Sequence, residues 1–311
     1  IGGHIDIPTD NGSKRIGLIR IHLEEDAGKL IHISGDRNSY FDVNRCGVPL
    51  IEIVTQPDFS TLEEVRAFLV KLREMLIYLE ICHGNMEEGN LRVDANISVH
   101  PEDTDSLGVK TEIKNLNSFT NTVAALGSEI DRQIDILESG GRITQETLLW
   151  DADQGRLSVM RTKEYAHDYR YFPEPDLVPL TVGQDWIHRI REGLPELPEA
   201  KRERFVSQYG IPSYDAGVLT LSKATADYFE GVVAGGAEPK MASNWVMGEV
   251  LRVLRERQID ADEFLIKPAR LAELLKLLNE PIDVKNPPEG LAQKLWEAGK
   301  LRLVWVSATV P

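Results

Sequence analysis

The stretch RIGLIRIHLEEDAGK, residues 15–29, decides the fold class of the first half of the chain. From Arg15 to Glu24 the side chains alternate, with Ile19, Ile21 and Leu23 on one face and Arg20, His22 and Glu24 on the other. A period of two is that of a β-strand with one face toward a core and the other toward solvent or a site. The residues from Glu25 to Lys29 read as the turn that follows. A second apolar run, Val48 to Val54, encloses one carboxylate, Glu52, and stops at Pro57, as a buried strand does.

Working outward, Ser60 stands three residues before Glu63 in a helix-capping pattern, and Val65, Phe68, Leu69, Leu72, Met75, Leu76 and Leu79 follow at helical spacing. Alternation returns at Leu91–Val99, with Asp94 on the polar face, and at Val109–Ile113, with Lys110, Glu112 and Lys114 turned away from the core. Asn117 or Ser118 opens a further helix carrying Val123, Leu126, Ile130, Ile134 and Leu137, and Gly140-Gly141 ends it. Beyond Asp185 alternation gives way to helical segments at about 198–209, 222–233, 239–257 and 268–278. This pattern predicts an α+β chain: a cradle domain over 1–190, with a mainly antiparallel sheet flanked by helices, then an all-α domain over 191–280. Residues 281–311 form an atypical tail, expected to be poorly ordered, whose end Leu303-Val304-Trp305-Val306 has no helical period.

At 311 residues the chain suits two bodies, each with its own core. It has no membrane-length apolar run and no secretory leader pattern, so it reads as a protein of the cytoplasm, or of an organelle matrix in a eukaryote. Cys46 and Cys82 stand in no CxxC spacing and are expected to be reduced and at least partly buried. A net charge of −15 argues against a broad basic surface for nucleic acid, because phosphate binding depends on Lys and Arg replacing counterions. Any RNA contact is then confined to local basic patches. Neither a GxxxxGK[ST] loop, a GxGxxG turn nor a GxSxG elbow occurs.

Chemistry is sought among the acids. Polar strand faces present Glu24, Asp94 and Glu112; Glu25 follows the first of these, and Glu52 lies between Ile51 and Ile53. Acids converging on one sheet would make an oxygen-rich site for Mg²⁺, which keeps water and phosphate oxygens as its other ligands. His22 shares a face with Glu24 and is a weaker metal candidate. The competing reading pairs each acid with Arg20, Arg92, Lys110 or Lys114 on a neighbouring strand, as polar sheet faces commonly do. Glu52 is the exception, because its apolar flanks disfavour a solvated position, and a carboxylate in a buried strand must be paired, protonated or metal-bound. In MRTKEYAHDYRYFPEPDL, residues 160–177, Arg161, Lys163 and Arg170 alternate with Tyr165, Tyr169, Tyr171 and Phe172, a pattern suited to phosphate and base stacking or to an ordinary packed loop.

The runs IHLEEDAGK (21–29), VPLIEIVTQPD (48–58), NMEEGNLRVDANISV (85–99), TEIKNLNSF (111–119) and MRTKEYAHDYRYFPEPDL resemble, in that order, the GatB family of the aspartyl/glutamyl-tRNA(Asn/Gln) amidotransferases. LPELPEAKRERF and PKMASNWVMGE resemble its helical domain. The resemblance implies an ATP- and Mg-dependent ligase within a heterotrimer whose other members are the amidase and a small third protein. It phosphorylates the side-chain carboxylate of Glu-tRNA(Gln) or Asp-tRNA(Asn), and ammonia from the amidase displaces the phosphate. It also implies that Glu24, Glu25, Glu52, Asp94 and Glu112 handle metal and phosphate. To these we add Lys114, Arg161, Lys163 and Arg170 as contacts for phosphate or the acyl end, since charge spreading over a transferred phosphoryl calls for cations. The family's first segment is expected to lie before Ile1, so the chain is read as truncated and inactive alone. The alternative is a non-catalytic tRNA-binding or subunit-scaffolding fragment.

Overall fold

In the computed structural model, which describes residues 2–10, 12–33, 35, 37–101, 103–104, 106–162, 178 and 180–279, the chain is α+β and divides into two compact units, Ile1–Pro198 and Glu199–Pro311. The tail read over 281–311 lies outside the described residues.

The first unit opens with β1 (Gly3–Thr9) and the long β2 (Gly12–Glu25), followed by the hairpin β3 (Lys29–His32) and β4 (Ser39–Asp42), and then β5 (Pro49–Thr55). β1, β2 and β5 form one antiparallel sheet with β2 in the middle. Helix α1 (Leu62–Tyr78) packs Phe68 and Leu69 against Ile5, Ile7 and Ile16 of this sheet. Its cap lies one residue later than the sequence suggests: Thr61, not Ser60, closes a reciprocal capping box, with Glu64. Ser60 is used otherwise, its hydroxyl accepting from Lys14 Nζ at 3.0 Å while its N–H donates to Glu64.

A register shift between Leu18 and Arg20 makes a β-bulge in β2. Leu18 pairs with Thr55 and Ile21 with Ile53, so Ile21 and Leu23 continue the face of Ile16, while Arg20, His22 and Glu24, with Glu52 opposite His22, take the other face. Among the described residues, the apolar face is covered only at its Ile16 end. Ile21 is 62% exposed and Leu23 71%, against the expectation that this face lies in the core.

The second sheet has the order β6 (Val93–Ile97), β7 (Thr111–Leu116), β8 (Glu146–Asp151) and β9 (Arg156–Thr162), antiparallel except for the parallel pair β7 and β8. Helix α2 (Phe119–Glu138), capped by Ser118, lies on it and buries Ala125 and Leu126 against Ile113, Leu116 and Trp150. Its buried face is not the expected apolar stripe. Ile134 and Leu137 are exposed, and Thr122, Glu129 and Gln133 go inside. Thr111 Oγ1, Arg132 Nε and Nη2 and Gln133 Nε2 all donate to the Glu129 carboxylate, and Val99 N donates to Gln133 Oε1, which fastens α2 to the end of the β6–β7 pair where Ile97 faces Thr111. The short helix α3 (Gln184–Gly193) is the unit's last.

The second unit is helical: α4 (Pro198–Tyr209), α5 (Ser213–Leu219), α6 (Lys223–Ala234), α7 (Pro239–Trp245), a π-helical turn (Val246–Val250), α8 (Leu251–Arg257) and α9 (Pro268–Asn279). Phe205, Tyr209 and Phe229 meet in its core in tilted and edge-to-face contacts, with ring centroids 5.0–5.6 Å apart. Gly235 lets α6 end against α9, since a Cβ there would come within 2.5 Å of the Ala272 Cβ.

Candidate functional site

The bulge in β2 decides what faces outward beside β5. His22 Nδ1 lies 3.1 Å from Glu24 Oε1, and Glu52 stands directly across the ladder from His22. One ligand atom from each of these residues falls within 4.8 Å of the other two, which among the described residues makes the single group of three side chains able to hold a metal ion. Glu52 is not enclosed as its flanking isoleucines suggest. Its side chain is 42% exposed and accepts from Arg20 Nε and Nη2 at 3.2 and 2.9 Å. β5 is the reason: Ile51 lies on its exposed apolar face and Glu52 on the polar one, so the charge never enters a core.

Asp94, Glu112 and Lys114 gather on the second sheet. Lys114 Nζ lies 2.6 Å from Asp94 Oδ2 and 3.3 Å from Glu112 Oε1, and Thr147 Oγ1 donates to Glu112 Oε2 at 3.0 Å. A second bulge produces this arrangement. Val93 pairs with Leu116 but Ala95 with Ile113, so β7 carries an extra residue opposite Asp94, and Asn115 takes the left-handed conformation at φ +65 that Asn tolerates better than most residues. Its side chain donates to Trp150 O, which fixes the turn that aims Lys114. Burial disfavours the ammonium, but its hydrogen bond to Asp94 and the charges of Asp94 and Glu112 outweigh it, so Lys114 titrates above its ordinary value and remains a cation.

The structure therefore distributes the acids over two groups rather than bringing Glu24, Asp94 and Glu112 to one point. His22, Glu24 and Glu52 sit on the first sheet, and Asp94 and Glu112 surround Lys114 on the second. Glu25 is exposed and alternates to the face opposite Glu24. The backbone of Arg161 stands opposite Thr147, beside a third register shift in β9, which puts it in line with the Lys114 group. Lys163 and Arg170 lie outside the described residues. Cys46 is exposed, contrary to expectation, and Cys82 half-buried; both are free. No helix among the described residues is long and apolar enough to cross a membrane.

Sequence reasoning missed Asp26, which it placed in a turn. The Asp26 side chain is 8% exposed and takes Arg92 Nη2 at 2.7 Å and Arg45 Nε at 3.0 Å. Burial pushes its carboxyl up, yet the Arg92 hydrogen bond and the charges of Arg92 and Arg45 prevail and hold it below the usual carboxylate range. Glu24 drew attention because it fell on a polar strand face, and Glu25 because it follows Glu24 and matches the family's motif; an aspartate inside the turn gives no such signal.

A family model described as the GatB/GatE catalytic domain matches residues 1–188, and one described as a GatB domain matches residues 227–286. Similar curated proteins are named as the B subunit of aspartyl/glutamyl-tRNA(Asn/Gln) amidotransferase. The protein of Chlorobium luteolum is 55% identical over 278 residues, covering 89% of this chain and 58% of its own length. That of Chlorobium phaeobacteroides is 54% identical over 297 residues, 96% of this chain and 62% of its own length. That of Caldicellulosiruptor bescii is 50% identical over 301 residues, 96% of this chain and 63% of its own length. The chain spans less than two thirds of each of these relatives. With the catalytic-domain model covering more than half of its residues, the chain belongs to the GatB/GatE family.

Proposed function

We propose that this chain is the catalytic part of the GatB component of a tRNA-dependent amidotransferase, acting with the amidase and the small third protein of the heterotrimer. With ATP and Mg²⁺ it phosphorylates the side-chain carboxylate of Glu-tRNA(Gln) or Asp-tRNA(Asn). The γ-phosphoryl bond to ADP breaks as the acyl phosphate forms, and ammonia from the amidase then attacks the carbonyl carbon and releases phosphate. Family membership supports the reaction, and the grouping of His22, Glu24 and Glu52 is the observation that carries its assignment to this surface.

The donor set fits a small divalent cation. Glu24 and Glu52, both half-exposed, leave positions open for water and phosphate oxygens, the pattern Mg²⁺ and Mn²⁺ favour, and the His22 imidazole is the weaker ligand of the three for these ions. Bound there, the ion would neutralise charge on the β- and γ-phosphates. Arg20 competes for Glu52 and would release it when the ion binds. Lys114 supplies a fixed cation on the second sheet, held by Asp94 and Glu112, for the transferred phosphoryl or the acyl carboxylate. Arg161, Lys163 and Arg170 are proposed to extend that cationic surface, and Glu25 to contribute from the rim.

Titration of the chain with Mn²⁺ tests the site. Glu24→Gln and Glu52→Gln are each expected to weaken binding by about tenfold or more, whereas Asp94→Asn changes it by less than about twofold. Unchanged affinity in both glutamine variants would remove the assignment. The exposed apolar strip of Ile21, Leu23 and Ile51 favours a second reading, a subunit-docking scaffold; absence of metal binding in the parent chain would select it.

A further inference from the structure

The two acid groups occupy different sheets, and Asp26 joins the segments that carry them. Asp26 follows Glu24 by two residues in the chain, and Arg92 precedes Asp94 by two. The Asp26 carboxylate takes both terminal nitrogens of Arg92, at 2.7 and 3.4 Å, a fork that fixes orientation as well as distance. Its Oδ2 also takes Arg45 Nε at 3.0 Å, and Arg45 Nη1 donates to Gly89 O at 2.7 Å. The backbone adds the third segment: Asp26 N donates to Val48 O at 2.8 Å and Gly47 N to Asp26 O at 2.9 Å, immediately before β5 and Glu52. Gly89 is required where it stands. It has φ +71, and a Cβ there would approach Arg45 Nη1 to 2.9 Å.

We infer that Asp26, through Arg92 and Arg45, is the positioning residue of the site, holding the His22, Glu24 and Glu52 face in fixed relation to the Asp94, Glu112 and Lys114 group so that both act on one bound nucleotide. The inference rests on the proposed function for its consequence and on the geometry alone for the clamp. A nearly buried carboxylate that one arginine grips as a fork and a second arginine from another loop also meets ties three segments at one point, and such ties keep a reacting constellation within the tolerance that positioning demands.

The test has two arms on the whole chain, with Cys46 and Cys82 first replaced by Ser. In the first, spin labels on Leu23→Cys and Lys110→Cys, both exposed, report the distance between the sheets by electron paramagnetic resonance. A narrow distribution is expected in the parent, at least about twofold broader in Asp26→Asn and Arg92→Met, and partly restored in Arg92→Lys, which keeps the charge but not the fork. In the second arm, Arg92→Met leaves Mn²⁺ affinity within about twofold, because the metal ligands share one sheet, while Mg²⁺–ATP affinity falls by about tenfold. Unchanged label distributions, or parallel loss of Mn²⁺ and Mg²⁺–ATP binding, would overturn the clamp. A parent chain that takes no Mg²⁺–ATP defeats the proposed function instead, and the label arm still decides the geometry. Thermal melting of Arg92→Met within a few degrees of the parent separates positioning from unfolding, and Arg92, with its side chain 55% exposed, is the variant chosen to survive it.

Discussion

Glu129 has no solvent exposure, yet it sits in the middle of α2, where a chain ordinarily places leucine. It persists there because every oxygen is met: Thr111, Arg132 and Gln133 donate to it, and Gln133 in turn accepts from Val99 N. Thr111 immediately precedes Glu112, so the network also sets the height of β7 at the Lys114 group. Removing one partner from such a network leaves the others buried and unsatisfied, which costs more than the network contributes over an apolar core. Arg132, with its side chain 34% exposed, stays hydrated when the carboxylate goes, but Thr111 and Gln133 do not, so Glu129→Ala is expected to lower the unfolding free energy by about 2–3 kcal/mol in urea, with the slope against denaturant unchanged. A loss below about 1 kcal/mol would mean that water enters and satisfies Thr111 and Gln133. Asp94→Asn, on an exposed strand face, is expected to cost less than about 1 kcal/mol by the same measurement, since its pair with Lys114 is open to solvent.

At the level of elements, periodicity located α1, α2, β2, β5, β6 and β7, and in the second unit α4, α6, α9 and the span from α7 through α8, because a period is visible there over many residues; it marked no strand at β1, β3, β4, β8 or β9 and no helix at α3 or α5. Bulges were not legible. They add a residue without changing composition, and it is the ones in β2 and β7 that turn Arg20, His22 and Glu24 to the face opposite Ile16 and aim Lys114 at Asp94. The apolar content of the strand was read rightly and its burial wrongly, because a sequence does not say how far the covering helix reaches. The same limit explains α2, where a polar network replaced the stripe of Ile134 and Leu137. Alternation singled out Glu24, Asp94 and Glu112 as a set of candidates, but their division between two sheets depends on tertiary pairing. Capping gives a test of register: Thr61→Ala is expected to destabilise the chain by about 1 kcal/mol, because the Glu64 N–H loses its acceptor, and Ser60→Ala by less than about 0.5 kcal/mol. Equal losses in the two variants would return the cap to the register suggested by the sequence alone.

For the molecule as a whole, charge and pairing act in opposite directions as pH falls. The chain carries −15 near neutrality, and protonating carboxylates relieves that self-repulsion, a stabilising change. Against it stand carboxylates held below their ordinary range in both units. In Asp26 and Glu64 burial opposes ionisation, but Arg92 with Arg45, and Lys14 with the Ser60 and Thr61 N–H groups, outweigh it. In Asp215 burial is overcome by Lys240 and Ser243, and in Glu230 by Arg204 and Lys201. A carboxylate whose folded pKa is depressed contributes stability that is fully present above its unfolded pKa, near about 4, and is lost as pH falls through the folded value. Diffuse repulsion between exposed charges is screened by salt, whereas these pairs, with carboxylate side chains from 8 to 25% exposed, are screened much less. Pairing therefore wins. Melting temperature is expected to vary little between about pH 7 and 5 and to drop steeply below about pH 4, at 0.15 M salt as at low salt. Asp26→Asn lowers the plateau at neutral pH and flattens the acid drop, because the neutral amide has nothing to lose on titration. A chain whose melting temperature rises on acidification through pH 4 would show that relief of net charge dominates and that these buried pairs hold little of the fold.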